Sequence, residues 1–194
     1  MNENIFETIY ILGFVYATII RSVYGRKFHR DNVLQQKKEH PLVYVGMGLW
    51  GIVLFLPLFY IFTTWLDFAD YQIPASLGVL GSVIFIGGLW VLQRSHIDLA
   101  RNFSPSLFIQ KQHILVTHGI YKYIRHPMYL SFWAWAMGQA LLIPNWIAGP
   151  LGIIAFYFIY SFRVEHEEQQ LVDYFGDPYR DYKNSTGRFF PKLK

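Results

Sequence analysis

Two short polar clusters in the second half of the chain carry residue types that could bind and orient a charged ligand. The first is Arg125-His126-Pro127 with Tyr129, and the second contains Arg163 and the acidic pair Glu167-Glu168. A proline in the first turn favours a helix that begins near Pro127, where free backbone N–H groups suit an anion. If the second cluster is helical, Arg163 and Glu167 share one face. Together the clusters predict a ligand-binding site.

An apolar stretch, 128–162, separates the two clusters. As a single helix it would extend about 50 Å, whereas the hydrocarbon core of a bilayer is about 30 Å thick. Pro144-Asn145 and Gly149-Pro150 lie near its middle and are typical of turns, so we expect two helices joined as a hairpin. Because a hairpin returns the chain to the side it left, both clusters are expected at the same membrane face.

The elements before the clusters are expected to cross the membrane as well. Of the 194 residues, 53% are hydrophobic and 15% are charged, against about a quarter charged in a soluble domain. Apolar segments at 5–20, 41–65 and 74–93 approach the roughly 20 residues that a membrane helix needs. We therefore expect an all-α integral membrane protein with five transmembrane helices and a cytoplasmic C-terminal cofactor-binding region.

The domain organisation follows from these segments. One membrane domain is expected over 1–194, with three N-terminal spans in 1–93 and a catalytic half in 94–194. This half would consist of a cytoplasmic segment, the helical hairpin 128–162 and a C-terminal cytoplasmic region.

The positive charges predict the orientation. All 17 Lys and Arg residues lie in three segments, six in 21–38, five in 94–125 and six in 163–194. A five-helix topology places these segments on one face, and positive residues prefer the cytoplasmic side. We expect a multi-pass protein with its N-terminus outside and its C-terminus and active site cytoplasmic. Membrane lipids account for the basic face, so no nucleic acid is expected as a partner.

Several other functions do not fit the residue types. The chain contains no cysteine, which excludes disulfides, thiolate metal sites and a cysteine nucleophile. Glu7 is the one ionisable residue within the expected spans, which argues against a channel or a proton-coupled transporter. The acidic residues at the start also argue against a cleaved signal peptide. His166-Glu167 begins a zinc-protease pattern, but Gln170 replaces the second histidine, so no metal is expected.

Glycines recur in the second and third spans. Gly46, Gly48 and Gly51 have the spacing of a dinucleotide-binding fingerprint, but they lie inside an apolar segment rather than between a strand and a helix. We therefore expect them to allow close packing of helices. The same is expected of the third-span glycines Gly78, Gly81, Gly87 and Gly88.

A longer series of residues, in order over about the last hundred positions, is similar to one known family. The series is His113-Ile114-Leu115-Val116, Gly119, Tyr121, Arg125-His126-Pro127, Tyr129, Arg163, Glu167-Glu168, Leu171, Phe175-Gly176, Tyr179, Tyr182 and Pro191. It resembles the isoprenylcysteine carboxyl methyltransferase family, whose members are small multispan proteins. Ser131 departs from the pattern, because the family commonly has glycine there, on the cofactor side.

The resemblance implies an S-adenosylmethionine-dependent carboxyl O-methyltransferase, with S-adenosylhomocysteine as product, acting on the C-terminal carboxylate of an isoprenylated cysteine. Arg163 would be the catalytic residue, orienting the acceptor carboxylate through its planar guanidinium. Glu167, with Glu168, would bind the ammonium of the cofactor, and His126 its carboxylate. The other cofactor-binding residues expected are His113, Ile114, Leu115, Val116, Gly119, Tyr121, Pro127, Met128 and Tyr129.

The expected partners are the prenylated cysteine, or another lipid-like substrate, and membrane lipids, with no obligate protein partner. The lipid tail would enter from the bilayer and the cofactor from the cytosol. Three alternatives remain at this point: a methyltransferase for a phospholipid amine or a thiol, a nicotinamide-dependent reductase of the sterol type, and a non-catalytic lipid-binding subunit. An amine acceptor would have to lose a proton and would not favour Arg163 in its site.

Overall fold

The computed structural model describes residues 3–26, 33–36, 41–103, 108–110 and 114–192. This part of the chain is helical, as expected, apart from one pair of short strands. The helices are α1 (Glu3–Arg26), α2 (Pro41–Phe62), α3 (Ala75–Leu99), α4 (Pro127–Leu142), α5 (Leu151–Phe175) and α6 (Asp177–Ser185). The strands are β1 (Val33–Gln36) and β2 (Phe108–Gln110), and short 3₁₀ turns cover Asp67–Ala69, Ala100–Asn102 and Gly119–Lys122.

Three of the described helices are long and apolar enough to cross a membrane. They are Ile5–Arg26 of α1, Pro41–Phe62 of α2 and Ala75–Leu99 of α3. This agrees with the integral membrane protein expected from the composition. The third helix continues six residues beyond the expected end at 93, and this extension brings Asp98 into the helix.

Contacts between the connections place alternate ends of the helices together. β1, between α1 and α2, pairs antiparallel with β2, between α3 and α4. At the other end, the backbone N–H of Tyr71, between α2 and α3, donates to the carbonyl of Pro144, between α4 and α5, at 3.0 Å. Helices α1 to α5 therefore run alternately up and down, and α4 and α5 form the hairpin around 143–150.

Asn145 anchors the hairpin turn. Its side chain is fully buried. The side-chain amide donates to the carbonyl of Leu66 at 2.7 Å and to Asp70 Oδ1 at 2.8 Å. Its Oδ1 accepts hydrogen bonds from the backbone N–H groups of Ile147 and Ala148. An amide that is satisfied on both sides holds the turn against the α2–α3 connection.

Aromatic side chains and glycines hold the bundle together. The rings of Phe85 on α3 and Trp135 on α4 lie 4.9 Å apart, and Tyr10 of α1 packs on both. A Cβ added at Gly138 would lie 2.7 Å from the Cβ of Phe85, closer than real Cβ atoms approach. The absence of a side chain at Gly138 therefore sets the distance between α3 and α4.

The predicted role of the span glycines is confirmed at four positions and wrong at three. Added Cβ atoms at Gly46, Gly78, Gly81 and Gly88 would meet neighbouring helices at 2.4–2.9 Å. Those at Gly48, Gly51 and Gly87 would have no neighbouring atom within 4 Å among the described residues. The spacing of glycines in a sequence does not show which of them face another helix.

We predict that Gly138→Ala destabilises the protein by about 1–3 kcal/mol, since the new methyl group meets the side chain and backbone of Phe85 and forces α3 and α4 apart. Thermal unfolding in detergent, followed by circular dichroism, measures the effect. Gly48→Ala is the matched control: it adds the same methyl group in open space and is expected to leave the unfolding temperature unchanged or slightly raised. Equal unfolding temperatures for both variants would contradict the packing role.

Candidate functional site

The first polar cluster lies at the start of α4. The helix begins at Pro127, as the sequence predicted, and the N–H of Leu130 donates to the carbonyl of His126 at 3.1 Å. The His126 side chain is buried, and its ring stacks on Tyr129, one turn into the helix, with centroids 5.4 Å apart. The first-turn N–H groups of a helix have no intrahelical acceptor and remain available to an anion.

The second cluster lies on the last turns of α5 and faces the first through Glu168. This carboxylate is 2% exposed, and three cationic groups and the His126 imidazole surround it within 3.0 Å. Oε1 accepts from Arg125 and His126 Nε2, both at 3.0 Å, whereas Oε2 lies 2.9 Å from Lys183 and 3.0 Å from Arg188. Glu168 therefore ties the start of α4 to α5, α6 and the tail after α6.

The tail after α6 adds backbone contacts to the same junction. The N–H groups of Arg125 and His126 donate to the carbonyls of Gly187 and Arg188 at 2.8 and 3.1 Å. The Arg125 guanidinium also donates to the carbonyl of Lys183 at 3.0 Å and to that of Thr186. The end of α6 and the tail after it therefore hold Arg125 and His126 in place at the start of the hairpin.

The electrostatics of Glu168 follow from these contacts. Burial alone would raise the pKa of the carboxyl group, but the hydrogen bonds from His126, Arg188, Lys183 and Arg125 outweigh it and hold the pKa well below its ordinary value of 4.5. The hydrogen bond with Glu168 in turn raises the pKa of the Arg188 guanidinium above its ordinary value. Glu168 is therefore ionised at neutral pH, with both oxygens already bound to cationic partners.

Glu167, its neighbour, has a different environment. Its side chain is 28% exposed, and Oε2 accepts a hydrogen bond from the Tyr129 hydroxyl at 2.5 Å. The Nε of Arg163, one turn earlier on α5, lies 3.9 Å from the same oxygen. The expectation that Arg163 and Glu167 share a helix face is confirmed. This arrangement gives an accessible carboxylate, held by a tyrosine, beside a guanidinium that is 13% exposed.

A tight turn after α3 brings Tyr121 to the site. Gly119 has a φ of +60°, and a Cβ there would lie 2.3 Å from the carboxyl carbon of Asp98. Asp98 accepts from the N–H of Ile120 at 2.7 Å and from Arg94 at 2.7 Å. Glycine therefore meets both a conformational and a steric requirement at this position.

Tyr121 itself is buried near the carboxylates of Glu167 and Asp98. Burial raises the pKa of its phenol well above the ordinary value, and the negative charge of Glu167 raises it further. Its backbone carbonyl accepts a hydrogen bond from the Tyr182 hydroxyl at 2.6 Å, which joins α6 to the turn. The phenol of Tyr121 therefore stays neutral at all physiological pH values.

The remaining expected cofactor-binding residues lie around this turn and the start of α4. Ile114 is exposed, and its N–H donates to Asn102 Oδ1 at 3.1 Å, whereas Val116 is buried and Leu115 is partly buried. His113 lies outside the described residues. Met128, next to Pro127 on α4, is partly buried and its carbonyl accepts from the hydroxyl of Ser131 at 2.7 Å. The Ser131 hydroxyl therefore has a hydrogen-bond partner within α4 itself.

Some residues at this site were not found by sequence reasoning. Lys183 and Arg188 lie between the pattern residues Tyr182 and Pro191 without belonging to the pattern, and they meet Glu168 only in the folded chain. Asp98 also organises the turn at Gly119. Its signal was the spacing of four residues from Arg94, which is typical of a helical ion pair, but the expected span ended before both.

The fold and the clustered side chains together define a helical membrane protein with a charged candidate site at one end of its bundle. Residues 81–173 match the sequence model of the isoprenylcysteine carboxyl methyltransferase (ICMT) family. Over this region the chain is similar to that family, and the resemblance seen in the sequence is confirmed.

Curated relatives agree with this assignment. Proteins described as protein-S-isoprenylcysteine O-methyltransferase are 40% identical in Schizosaccharomyces pombe (43% of this chain, 35% of the relative) and 32% in Dictyostelium discoideum (61% and 51%). That of Saccharomyces cerevisiae is 34% identical (63% and 52%). This chain thus spans about half the length, or less, of these relatives.

A solved structure shows the same fold. It is described as the eukaryotic intramembrane Ras methyltransferase ICMT, and its similarity has a TM-score of 0.55 at 24% identity, covering 80% of this chain and 54% of that one. At this identity the likeness concerns the helical membrane architecture.

We predict that Glu168→Gln lowers the free energy of unfolding by about 3–5 kcal/mol, because Arg125, Lys183 and Arg188 lose their shared counter-charge in a buried position. Thermal unfolding in detergent measures the loss. Glu165→Gln is the matched control, since Glu165 is exposed on the same helix. A change of similar size in both variants would contradict the central role of Glu168.

The same contacts predict a pH dependence. Because the pKa of Glu168 is lower in the folded than in the unfolded chain, the unfolded state binds an extra proton below about 4.5. The free energy of unfolding should therefore fall as the pH is lowered below this value. Unfolding temperatures are measured from about pH 6 down to about pH 3.5, the range in which carboxyl groups titrate. They should fall more steeply in the wild type than in Glu168→Gln. Parallel slopes would refute it.

Proposed function

We propose that the protein transfers a methyl group from S-adenosylmethionine to the C-terminal carboxylate of an isoprenylated cysteine. The observation that carries this proposal is the arrangement of Tyr129, Glu167 and Arg163 within a region of the isoprenylcysteine carboxyl methyltransferase family. An accessible carboxylate for a cationic ligand lies beside a guanidinium for an anionic one. A methyl donor with an ammonium group and an acceptor with a carboxylate need this pair of charges.

The proposed topology has five transmembrane helices, with the N-terminus outside and the C-terminus and the site cytoplasmic. The alternating directions of α1 to α5 and the positions of the positive charges support it. The site then lies at the cytoplasmic end of the bundle, where a water-soluble cofactor can reach it. A prenyl tail gains about 0.8 kcal/mol for each CH₂ that stays in the bilayer, so it would approach from the lipid side.

The residues present fit the proposed cofactor. Glu167 can take its ammonium, since its carboxylate is partly exposed and is held by the Tyr129 hydroxyl. The start of α4, with His126, can take its carboxylate. Glu168 is assigned a supporting role, because its two oxygens already bind three cationic groups and hold His126 in place. Tyr121, Tyr129 and residues 114–116 would line the remainder of the pocket.

The chemistry asks little of a general base. S-adenosylmethionine, when bound, supplies an electrophilic methyl group. The acceptor carboxylate is ionised at neutral pH and has no proton to lose. The protein must therefore align the nucleophile and exclude water. Arg163 can hold a carboxylate through two parallel hydrogen bonds, which fixes its direction as well as its position.

We predict that detergent-purified protein transfers labelled methyl from S-adenosylmethionine to an S-farnesylated cysteine analogue as a base-labile ester. Arg163→Ala should lower kcat/KM by at least about a hundredfold, and Arg163→Lys nearly as much, because an ammonium cannot form the two-point contact. A lysine variant near wild-type turnover would exclude the bidentate role. Transfer to a free-amine acceptor instead would identify the rival methyltransferase class.

We also predict that Glu167→Ala weakens S-adenosylhomocysteine binding about tenfold or more, through loss of a charge-assisted hydrogen bond to the ammonium. Tyr129→Phe should weaken it less, because the carboxylate remains but loses the hydroxyl that holds it. Calorimetry measures both dissociation constants, and Glu165→Ala, an exposed carboxylate on α5, is the control. If Glu167→Ala binds as tightly as wild type, the ammonium assignment is wrong.

A further inference from the structure

Arg21, near the cytoplasmic end of α1, has a position that membrane orientation alone does not explain. Its guanidinium carbon lies 5.4 Å from the ring centroid of Phe132 on α4, within the range of a cation–π contact. An arginine that only anchored the helix would extend toward the lipid headgroups. Arg21 instead lies against the bundle, although the residue as a whole remains exposed and reachable by a ligand.

The neighbourhood of Arg21 is the neighbourhood of the candidate site. The ring of Phe132 packs on Phe156 of α5 with centroids 5.6 Å apart, and Phe156 packs in turn on Tyr129 at 6.2 Å. Tyr129 donates to Glu167. One aromatic cluster therefore lies between the Arg21 side chain and the residues proposed to bind the cofactor and the acceptor.

Arg163 adjoins the same aromatic cluster, because its Nε and the Tyr129 hydroxyl both lie against Oε2 of Glu167, and its positive charge acts on Arg21. Repulsion between like charges is costly where surrounding protein and lipid lower the dielectric constant. Glu167 compensates part of the Arg163 charge from 3.9 Å, but it is also the carboxylate assigned to the cofactor. Two guanidinium groups on different helices beside one aromatic cluster can form a receptor for an anion.

We propose that Arg21 and Arg163 together bind the carboxylate of the methyl acceptor, with Phe132 holding Arg21 in position. This inference rests on the proposed function, since it assigns the acceptor's carboxylate a second contact. It has a consequence for turnover: methylation removes the negative charge that both arginines attract. The enzyme would therefore bind the acid more tightly than the ester, which favours release of the product.

The experiment compares binding of the acid and of its methyl ester. Full-length protein in detergent is saturated with S-adenosylhomocysteine, which has no methyl group to transfer, and dissociation constants are measured for an S-farnesylated cysteine analogue and its ester. Arg21→Gln should weaken acid binding roughly tenfold and change ester binding by less than about twofold. Arg21→Lys should recover part of the loss, and Phe132→Leu should weaken acid binding by a few-fold.

Arg26→Gln is the matched control, because it removes an exposed positive charge from the last turn of the same helix. It should leave both dissociation constants unchanged. Unchanged acid binding in Arg21→Gln would overturn the inference, and so would an equal weakening of acid and ester, which would place Arg21 at the lipid tail. Affinity for S-adenosylhomocysteine should be the same in all variants, and its loss would also contradict a role confined to the acceptor.

The methyl-transfer assay on the wild-type protein separates the two proposals. If the acid binds through Arg21 as expected but receives no methyl group, the carboxylate site stands and the proposed reaction fails. If methyl transfer is efficient and Arg21→Gln equals the wild type in binding and rate, the reaction stands and the role of Arg21 is refuted.

Discussion

The buried carboxylate of Glu168 is the interaction on which this end of the bundle depends. It lies where α4 begins and α5 leaves the apolar region, and its partners come from the first cluster, from α6 and from the tail after α6. An ionised group with so little exposure is stable only when all of its acceptor capacity is used. Three cationic groups and His126 meet that requirement, and these contacts fix His126 and the first turn of α4. The geometry of the candidate site therefore depends on a carboxylate that is too buried to contact a ligand itself.

The adjacent acids Glu167 and Glu168 show how one turn of helix separates two functions. Successive residues on a helix point about 100° apart, so Glu168 faces the junction with α6 while Glu167 faces Tyr129 and Arg163. One carboxylate holds the site together, and the other remains partly exposed for a cationic ligand. The same division explains how Glu165, Glu167 and Glu168, three carboxylates in four residues, avoid strong mutual repulsion.

The helices deliver these side chains to one place because α3, α4 and α5 are held rigidly. Gly138 allows α3 and α4 to approach, and Asn145 fixes the turn at the far end of the hairpin. At the near end, Asp98 and Gly119 shape the turn that carries Tyr121. Polar groups within the bundle are paired as well, since Gln139 accepts from Trp135 and donates to the carbonyl of Ala148. A site whose supports are satisfied in this way needs little reorganisation to bind a charged ligand.

The sequence by itself determined the membrane helices, the hairpin with its break near Pro144-Asn145, the helix start at Pro127 and the shared face of Arg163 and Glu167. These follow from local rules of hydropathy, turn chemistry and helical spacing. The tertiary structure decided which glycines touch another helix, which of the paired acids is buried, and that Lys183 and Arg188 complete the site. It also decided that Arg21, an ordinary positive charge at the end of a membrane helix in the sequence, lies against the Phe132 ring of α4. The reason is physical: contacts between residues far apart in the chain depend on how helices rotate and pack, which their own periodicity does not specify.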